Sequence, residues 1–204
     1  MNTVEIGILG AGNIGRAFAR HLAKAGHRVQ LANRHGPASL QALVSELGTN
    51  ARASTTHEAA RLNIVFVAIP WTELSGAMNE LPPWEGRIVI DANNHILGFD
   101  GKQFQFADLR GRSSSEVFSE MVPGARIVKA LNTLPAELLA QDPRIGNGRR
   151  VVFISGDDAG SKTTVSDLLE TVGFSPIDLG TLATGGRLQQ AGAALSGMNL
   201  VEMS

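Results

Sequence analysis

Three glycines within six residues are the first feature of this chain with chemical potential: Gly10-Ala11-Gly12-Asn13-Ile14-Gly15. Glycines at this spacing let a backbone turn sharply (Gly10), approach a pyrophosphate (Gly12) and pack a helix closely on a strand (Gly15). The helix that starts at Asn13 would aim its free N–H groups and positive dipole end at the phosphates, with Ala11 and Ile14 completing the loop. Such a motif carries weight only between a strand and a helix with a second strand beyond. All three are legible here. Val4–Leu9 is a buried apolar run, Ile14, Phe18, Leu22 and Ala25 recur at helical spacing up to Gly26, and Arg28–Ala32 alternates as a strand.

The end of that second strand selects the dinucleotide. An NAD site usually holds an Asp or Glu about 20 residues past the glycines, for the ribose 2′-hydroxyl. This strand ends in Asn33-Arg34-His35-Gly36, with no acid. A carboxylate would repel a 2′-phosphate, whereas Arg34 can fork onto its oxygens, Asn33 can donate to it and His35 can add a third donor. The expected cofactor is therefore NADP(H).

Other chemistries find little support. There is no cysteine, which removes disulfides, thiol catalysis and the commonest zinc ligands, and the five histidines show no ligand spacing, so no metal is expected. Ser113-Ser114-Ser115-Glu116 reads as a helix N-cap with no partner base. Asn93, in the Asn93-Asn94 pair after Asp91, could bond a nicotinamide or simply make a turn. Trp71, just past a strand's end, is either a site residue or a core or lid aromatic, and Lys129 reads first as a solvated or phosphate-facing charge. A formal net charge of -1 gives no general nucleic-acid or anionic-membrane surface. The longest apolar run, Ile64 to Trp71, falls far short of the ~20 residues of a membrane span, and the N-terminus lacks a signal peptide's pattern. A cytoplasmic location is the expectation.

The elements that must position these residues alternate. Ala38–Leu47 is bracketed as a helix by Pro37 and Gly48, Asn63–Ile69 reads as a central strand stopped by Pro70, and Arg87–Asp91 and Arg126–Lys129 are further strands. Beyond about Ala130 come a helix at Pro135–Ala140, a strand at Arg150–Ser155, a helix at Asp157–Thr171, a strand at Phe174–Leu179, then a Gly-rich turn and a last helix. The fold class is α/β: a Rossmann-type doubly wound parallel sheet over 1–130, with a small C-terminal α/β domain over 131–204. The second domain is expected to supply the acceptor pocket and dimer contacts.

GAGNIGRAFARHLAKAGHRVQLANRHG, VAIPWTEL, RIVKALNTLPAELLA, VVFISGDDAGSKTTVSDLLETVGFSPIDLG and the closing GGRLQQ, in this order, resemble the F420-dependent NADP oxidoreductase family, to which the cytosolic domain of the STEAP metalloreductases is related. The resemblance covers nearly the whole chain. It implies a Rossmann domain with a small C-terminal domain, assembled as a homodimer, and hydride transfer between NADPH and F420 or a flavin such as FMN or FAD. It places Asn33 and Arg34 at the 2′-phosphate, Ile69, Pro70 and Trp71 beside the cofactor, and Ala130, Leu131, Asn132 and Thr133 at the nicotinamide and the second substrate. Asn132 stands where the F420 enzymes carry histidine. Their late arginine is retained as Arg187, but hydroxyl residues after it appear as Ala191 and Ala193.

Hydride transfer between stacked rings asks for positioning more than for acid–base groups, with Trp71, Asn132 and Arg187 as the residues to do it. Two other readings remain open. One is an NADPH-dependent carbonyl or imine reductase with Lys129 or His95 as proton donor, the other a non-catalytic NADPH sensor.

Overall fold

The protein is described by a computed structural model over residues 3–203. Its first half runs β1 (Glu5–Leu9), α1 (Asn13–Lys24), β2 (Arg28–Ala32), α2 (Gln41–Leu47), β3 (Ala51–Ala53), α3 (Thr56–Ala60), β4 (Ile64–Val67), α4 (Trp71–Asn79) and β5 (Ile88–Asp91). A hairpin of β6 (Ile96–Phe99) and β7 (Phe104–Phe106) follows, then α5 (Ser114–Ser119) and β8 (Arg126–Ala130). The remainder is α6 (Ala136–Leu139), β9 (Arg144–Ile145), β10 (Gly148–Gly156), α7 (Ala159–Val172), β11 (Ser175–Asp178), α8 (Gly185–Gln189) and β12 (Val201–Met203).

The main path through the large sheet is β11-β10-β8-β5-β4-β1-β2-β3, with β9 and β12 paired to β10. From β3 to β8 every pairing is parallel, whereas β10 enters antiparallel to β8. The chain winds outward from β1 to β3, then returns to the other side of β1 with β4. That reversal opens a crevice at the carboxyl ends of β1 and β4, where α/β sheets bind ligands. The fold class is therefore the Rossmann-type one read from the sequence. The sheet itself runs without a break across residue 130, because β8 pairs with β5 on one side and β10 on the other.

Both faces of the sheet are covered, which is why its strands are apolar nearly throughout. On one face Phe18 of α1 meets Phe66 of β4 at a ring separation of 4.7 Å, within a core that includes Ile6, Ile8, Ile90 and Val128. On the other, Val65, Val67 and Val89 pack with Leu74 of α4 and Phe118 of α5. Burying each such side chain contributes roughly 1.5–3 kcal/mol. The central strand is shorter than Asn63–Ile69, which frees Ala68 and Ile69 to line the crevice. The stretch after Pro37 begins as a 3-10 turn, Pro37–Leu40, before α2 proper. Helix α7 is capped by Asp158, whose carboxylate accepts the Ser161 N–H at 2.7 Å, and ends at Gly173 in the left-handed region.

Three histidines are buried in this frame. His21 Nε2 donates to the Leu139 carbonyl at 2.7 Å, and His27 accepts from the Val4 N–H at 3.4 Å while bonding Thr171 Oγ1 at 2.8 Å. His95 packs edge-on to Trp71 and leaves Nδ1 without a partner. Burial pushes all three below the ordinary imidazole range, and the Lys129 ammonium adds to the effect at His95. The folded state therefore favours neutral rings, while the unfolded chain takes up protons near pH 6.5. Stability should fall as pH drops through about 6.5 towards the lowered folded-state values. Urea unfolding should give a lower free energy at about pH 5.5 than at about pH 7.5, a window above carboxylate titration, and His21→Gln should reduce that slope. A flat profile across the window would contradict this account.

Candidate functional site

The glycine turn is built by contacts that no Cβ could share. Gly10 adopts φ +102° and lies so close to β4 that a Cβ there would sit 2.1 Å from the Ala68 carbonyl oxygen. A Cβ on Gly15 would sit 1.9 Å from the Gly10 carbonyl oxygen, and one on Gly7 2.1 Å from that of Ala59. Gly12 differs, since a Cβ there would meet no protein atom within 4 Å. Its backbone faces the crevice, as a pyrophosphate cradle requires. Gly12 is also the N-cap of α1, and no side chain caps the helix. The first-turn N–H groups of Asn13, Ile14 and Gly15 thus start a twelve-residue helix without a side-chain acceptor, the arrangement that suits a bound anion.

A cleft of about 630 Å³ runs along these strand ends. It brings together Gly10, Ala11 and Gly12 from the turn, Asn33, Arg34 and His35 after β2, and Ile69 and Pro70 after β4. The strand ends are pinned in register, with the Gly10 N–H on the Ala32 carbonyl at 3.0 Å and the Ala68 N–H on Leu9 at 2.9 Å. The Asn33 side chain shapes the loop that follows: its Oδ1 accepts from the His35 N–H at 2.9 Å, and its Nδ2 donates to Ser39 Oγ at 3.0 Å. Arg34 remains largely solvent-accessible, with Nη1 2.8 Å from Glu73 Oε1. This size and donor set fit the pyrophosphate and the phosphorylated ribose of a dinucleotide.

Arg16, Thr55 and Glu73 also line the cleft and were not singled out from the sequence. Arg16 donates from Nε to the Ala11 carbonyl at 2.8 Å, adding positive charge at the glycine turn. Thr55 caps α3 in a reciprocal box with Glu58, a Thr-x-x-Glu signal that the sequence does display. Glu73 falls in the first turn of α4, a helix that opens directly after Pro70.

The remaining expected residues lie outside the lining of this cleft. Trp71 is half-buried at the start of α4, its ring 6.4 Å from that of His95, which in turn lies 5.0 Å from Phe106. Asn93 accepts from the Ile69 N–H at 2.8 Å and donates to Asp91 at 2.7 Å, so its side chain ties the ends of β4 and β5. Ala130 is fully buried, and Leu131 after it takes φ +61°. That left-handed backbone is costly for a leucine, by roughly 1–2 kcal/mol. Asn132 donates to Asn94 Oδ1 at 3.0 Å and to the Gln189 carbonyl at 2.6 Å, joining β8 to α8. Arg187 is half-exposed on α8, 4.0 Å from Glu116.

Lys129 overturns an expectation. Its side chain has no solvent exposure, whereas a strand-end lysine reads as a solvated or phosphate-facing charge. The ammonium donates to the Asn93 carbonyl at 3.0 Å, to Ser114 Oγ at 3.0 Å and to Asp91 Oδ2 at 3.3 Å. Asp91 is itself buried and takes further bonds from the Ser115 hydroxyl and the Asn93 N–H. Burial lowers the Lys129 pKa, and the Asp91 charge opposes that. The lysine is inside because β8 is a central strand covered on both faces, so a side chain at its end has protein rather than water above it.

Fold and cleft together define a dinucleotide-binding protein of the Rossmann type. The model of the family described as "NADP oxidoreductase coenzyme F420-dependent" matches residues 5–95. Over residues 5–95 the chain thus matches the F420-dependent NADP oxidoreductase family that the sequence motifs resemble. It is 30% identical over 181 residues to the metalloreductase STEAP3 of Rattus norvegicus, covering 88% of this chain and 34% of the relative. The chain thus spans about a third of the length of the curated relatives it matches. Among solved structures it is similar to the hypothetical protein SMa0349 from Sinorhizobium meliloti, with TM-score 0.90, 41% identity, and 99% and 96% of the two chains covered. A putative F420-dependent NADP-reductase from Arthrobacter sp. FB24 is similar at TM-score 0.71 and 26% identity, over 88% and 85% of the chains. Among the described residues, no helix is long and apolar enough to cross a membrane.

The Lys129–Asp91 pair can be tested directly. Removing one partner of a buried pair leaves the other charge uncompensated, at a cost of about 3–5 kcal/mol. Lys129→Ala should lose stability of that order in urea unfolding, and the double change Lys129→Met with Asp91→Asn should lose less than the single one. Near-zero loss for Lys129→Ala would contradict the buried arrangement.

Proposed function

We propose that this chain binds NADPH along the cleft and passes hydride from its nicotinamide to a flavin or deazaflavin acceptor, F420, FMN or FAD. The observation that carries the reading is the convergence in one cleft of Gly12's open backbone, the uncapped start of α1 and an acid-free β2 end bearing Asn33, Arg34 and His35. The first two offer backbone N–H groups to the pyrophosphate, and the third a guanidinium fork to the 2′-phosphate.

The bound dinucleotide would supply the hydride; the protein's part is geometric. The strand ends of β4, β5 and β8, locked by Asn93, Asp91 and Lys129, would hold Ile69, Pro70 and Trp71 at the ring end. Reacting atoms brought to about 3–3.5 Å with water excluded need no acid or base from the protein. The relative described as a putative F420-dependent NADP-reductase supports a deazaflavin acceptor. Asn132 holds α8 against β8 through Gln189, and that contact would keep Arg187 near the acceptor. Our reading includes a cytoplasmic location and a homodimer, the latter supported by the β6–β7 hairpin, which leaves Phe99 and Phe104 exposed on an apolar face of the kind subunits cover.

Purified protein should consume NADPH when given F420, FMN or riboflavin, and scarcely at all with simple ketones or imines. Arg34→Ala should weaken NADPH binding about ten- to a hundredfold, as loss of charge-assisted bonds worth roughly 1.5–3 kcal/mol implies, and change NADH binding far less. NADPH bound tightly but turned over with no acceptor in a broad panel would overturn the enzymatic part.

A further inference from the structure

The sequence offers no acid at the end of β2, but the fold delivers one from another element. Glu73, in the first turn of α4, brings Oε1 to 2.8 Å from Arg34 Nη1, and both side chains line the cleft beside Asn33 and His35. The pair is open to solvent, with 68% of the Arg34 side chain and 42% of that of Glu73 exposed. An ion pair so exposed is weak, and its partners exchange readily.

We propose that Glu73 is a specificity-determining residue that restores to this site the carboxylate missing from β2, and so holds down its discrimination between NADPH and NADH. The inference rests on the NADPH reading above. Arg34 has two anionic partners to choose between. Facing an unphosphorylated ribose, it stays on Glu73, whose second oxygen is free to accept from a hydroxyl. A 2′-phosphate must draw Arg34 away and tolerate the like charge of Glu73 nearby. NADPH binding thus carries a repulsion that NADH binding does not, and NADH remains a usable ligand. A further acid, Glu80, lines the same cleft without pairing with Arg34, which allows contact to be separated from net charge.

The test is equilibrium binding of NADPH and NADH, followed by nucleotide fluorescence, to the unaltered protein and to Glu73→Gln, Glu73→Ala and Glu80→Gln. In the water-like dielectric of so exposed a site, two unit charges about 4 Å apart interact by about 1 kcal/mol, which converts to about a fivefold change in Kd. Both Glu73 variants should therefore bind NADPH about three- to tenfold more tightly, with NADH unchanged or weaker. The ratio of Kd for NADH to Kd for NADPH should rise accordingly, and the rise should shrink at high salt. Glu80→Gln should leave that ratio within about twofold. An unchanged ratio in the Glu73 variants, or an equal rise in Glu80→Gln, would overturn the proposal while leaving the NADPH reading in place. Failure of the unaltered protein to bind NADPH at all would overturn that reading, and this inference with it.

Discussion

The cleft depends on three places where backbone lies against backbone too closely for any side chain. Gly7 abuts Ala59 of α3, Gly10 abuts Ala68 after β4, and Gly15 abuts the Gly10 carbonyl. These contacts set how near α1 lies to β1, and how near β1 lies to the elements on its other side. A methyl group at any of them would force backbone to move, because the atom in the way is a carbonyl oxygen in each case. Gly12 completes the set by contrast, since its missing side chain leaves room on the cleft side and makes no internal contact. One short turn thus serves packing at two of its glycines and a ligand at the third.

A second constraint holds the opposite end of the crevice. The ends of β4, β5 and β8 are tied by a buried polar network in which Lys129, Asp91, Asn93 and Ser114 satisfy one another. Burying such a pair is of doubtful benefit to stability compared with apolar side chains of the same volume. What it provides is directional: each donor and acceptor fixes a strand end to within a hydrogen bond. Asn132 and Gln189 extend the network to α8, and the left-handed Leu131 lies between them and β8. Backbone strain of this kind persists only where neighbours over-determine it, and it gathers at functional sites.

Much of this was legible in the sequence for physical reasons. Glycine spacing, the helical period of Ile14, Phe18 and Leu22, and the apolar runs of a doubly covered sheet are local signals, and they foretold β1, α1, β2 and the turn between them. The Ser113 cap was equally local. What was not legible came from elements meeting across the fold. Lys129 looked solvated because nothing in its neighbourhood in the chain announces that Asp91 and Ser114 will enclose it. Glu73 was invisible as a partner of Arg34 because the two come from opposite sides of β1. The hairpin β6–β7 and the terminal strand β12 escaped because short strands at sheet margins carry little periodicity, and β12 is specified by its pairing with β10.

The central claim is that one continuous cleft receives the pyrophosphate at Gly12 and the 2′-phosphate at Arg34. The most direct measurement is a crystal structure of the protein grown with NADPH. The account predicts the pyrophosphate against the Gly12 backbone and the first turn of α1, with the 2′-phosphate oxygens within hydrogen-bond distance of the Arg34 guanidinium. A dinucleotide bound elsewhere, or one whose 2′-phosphate points to solvent while Arg34 stays on Glu73, would contradict it.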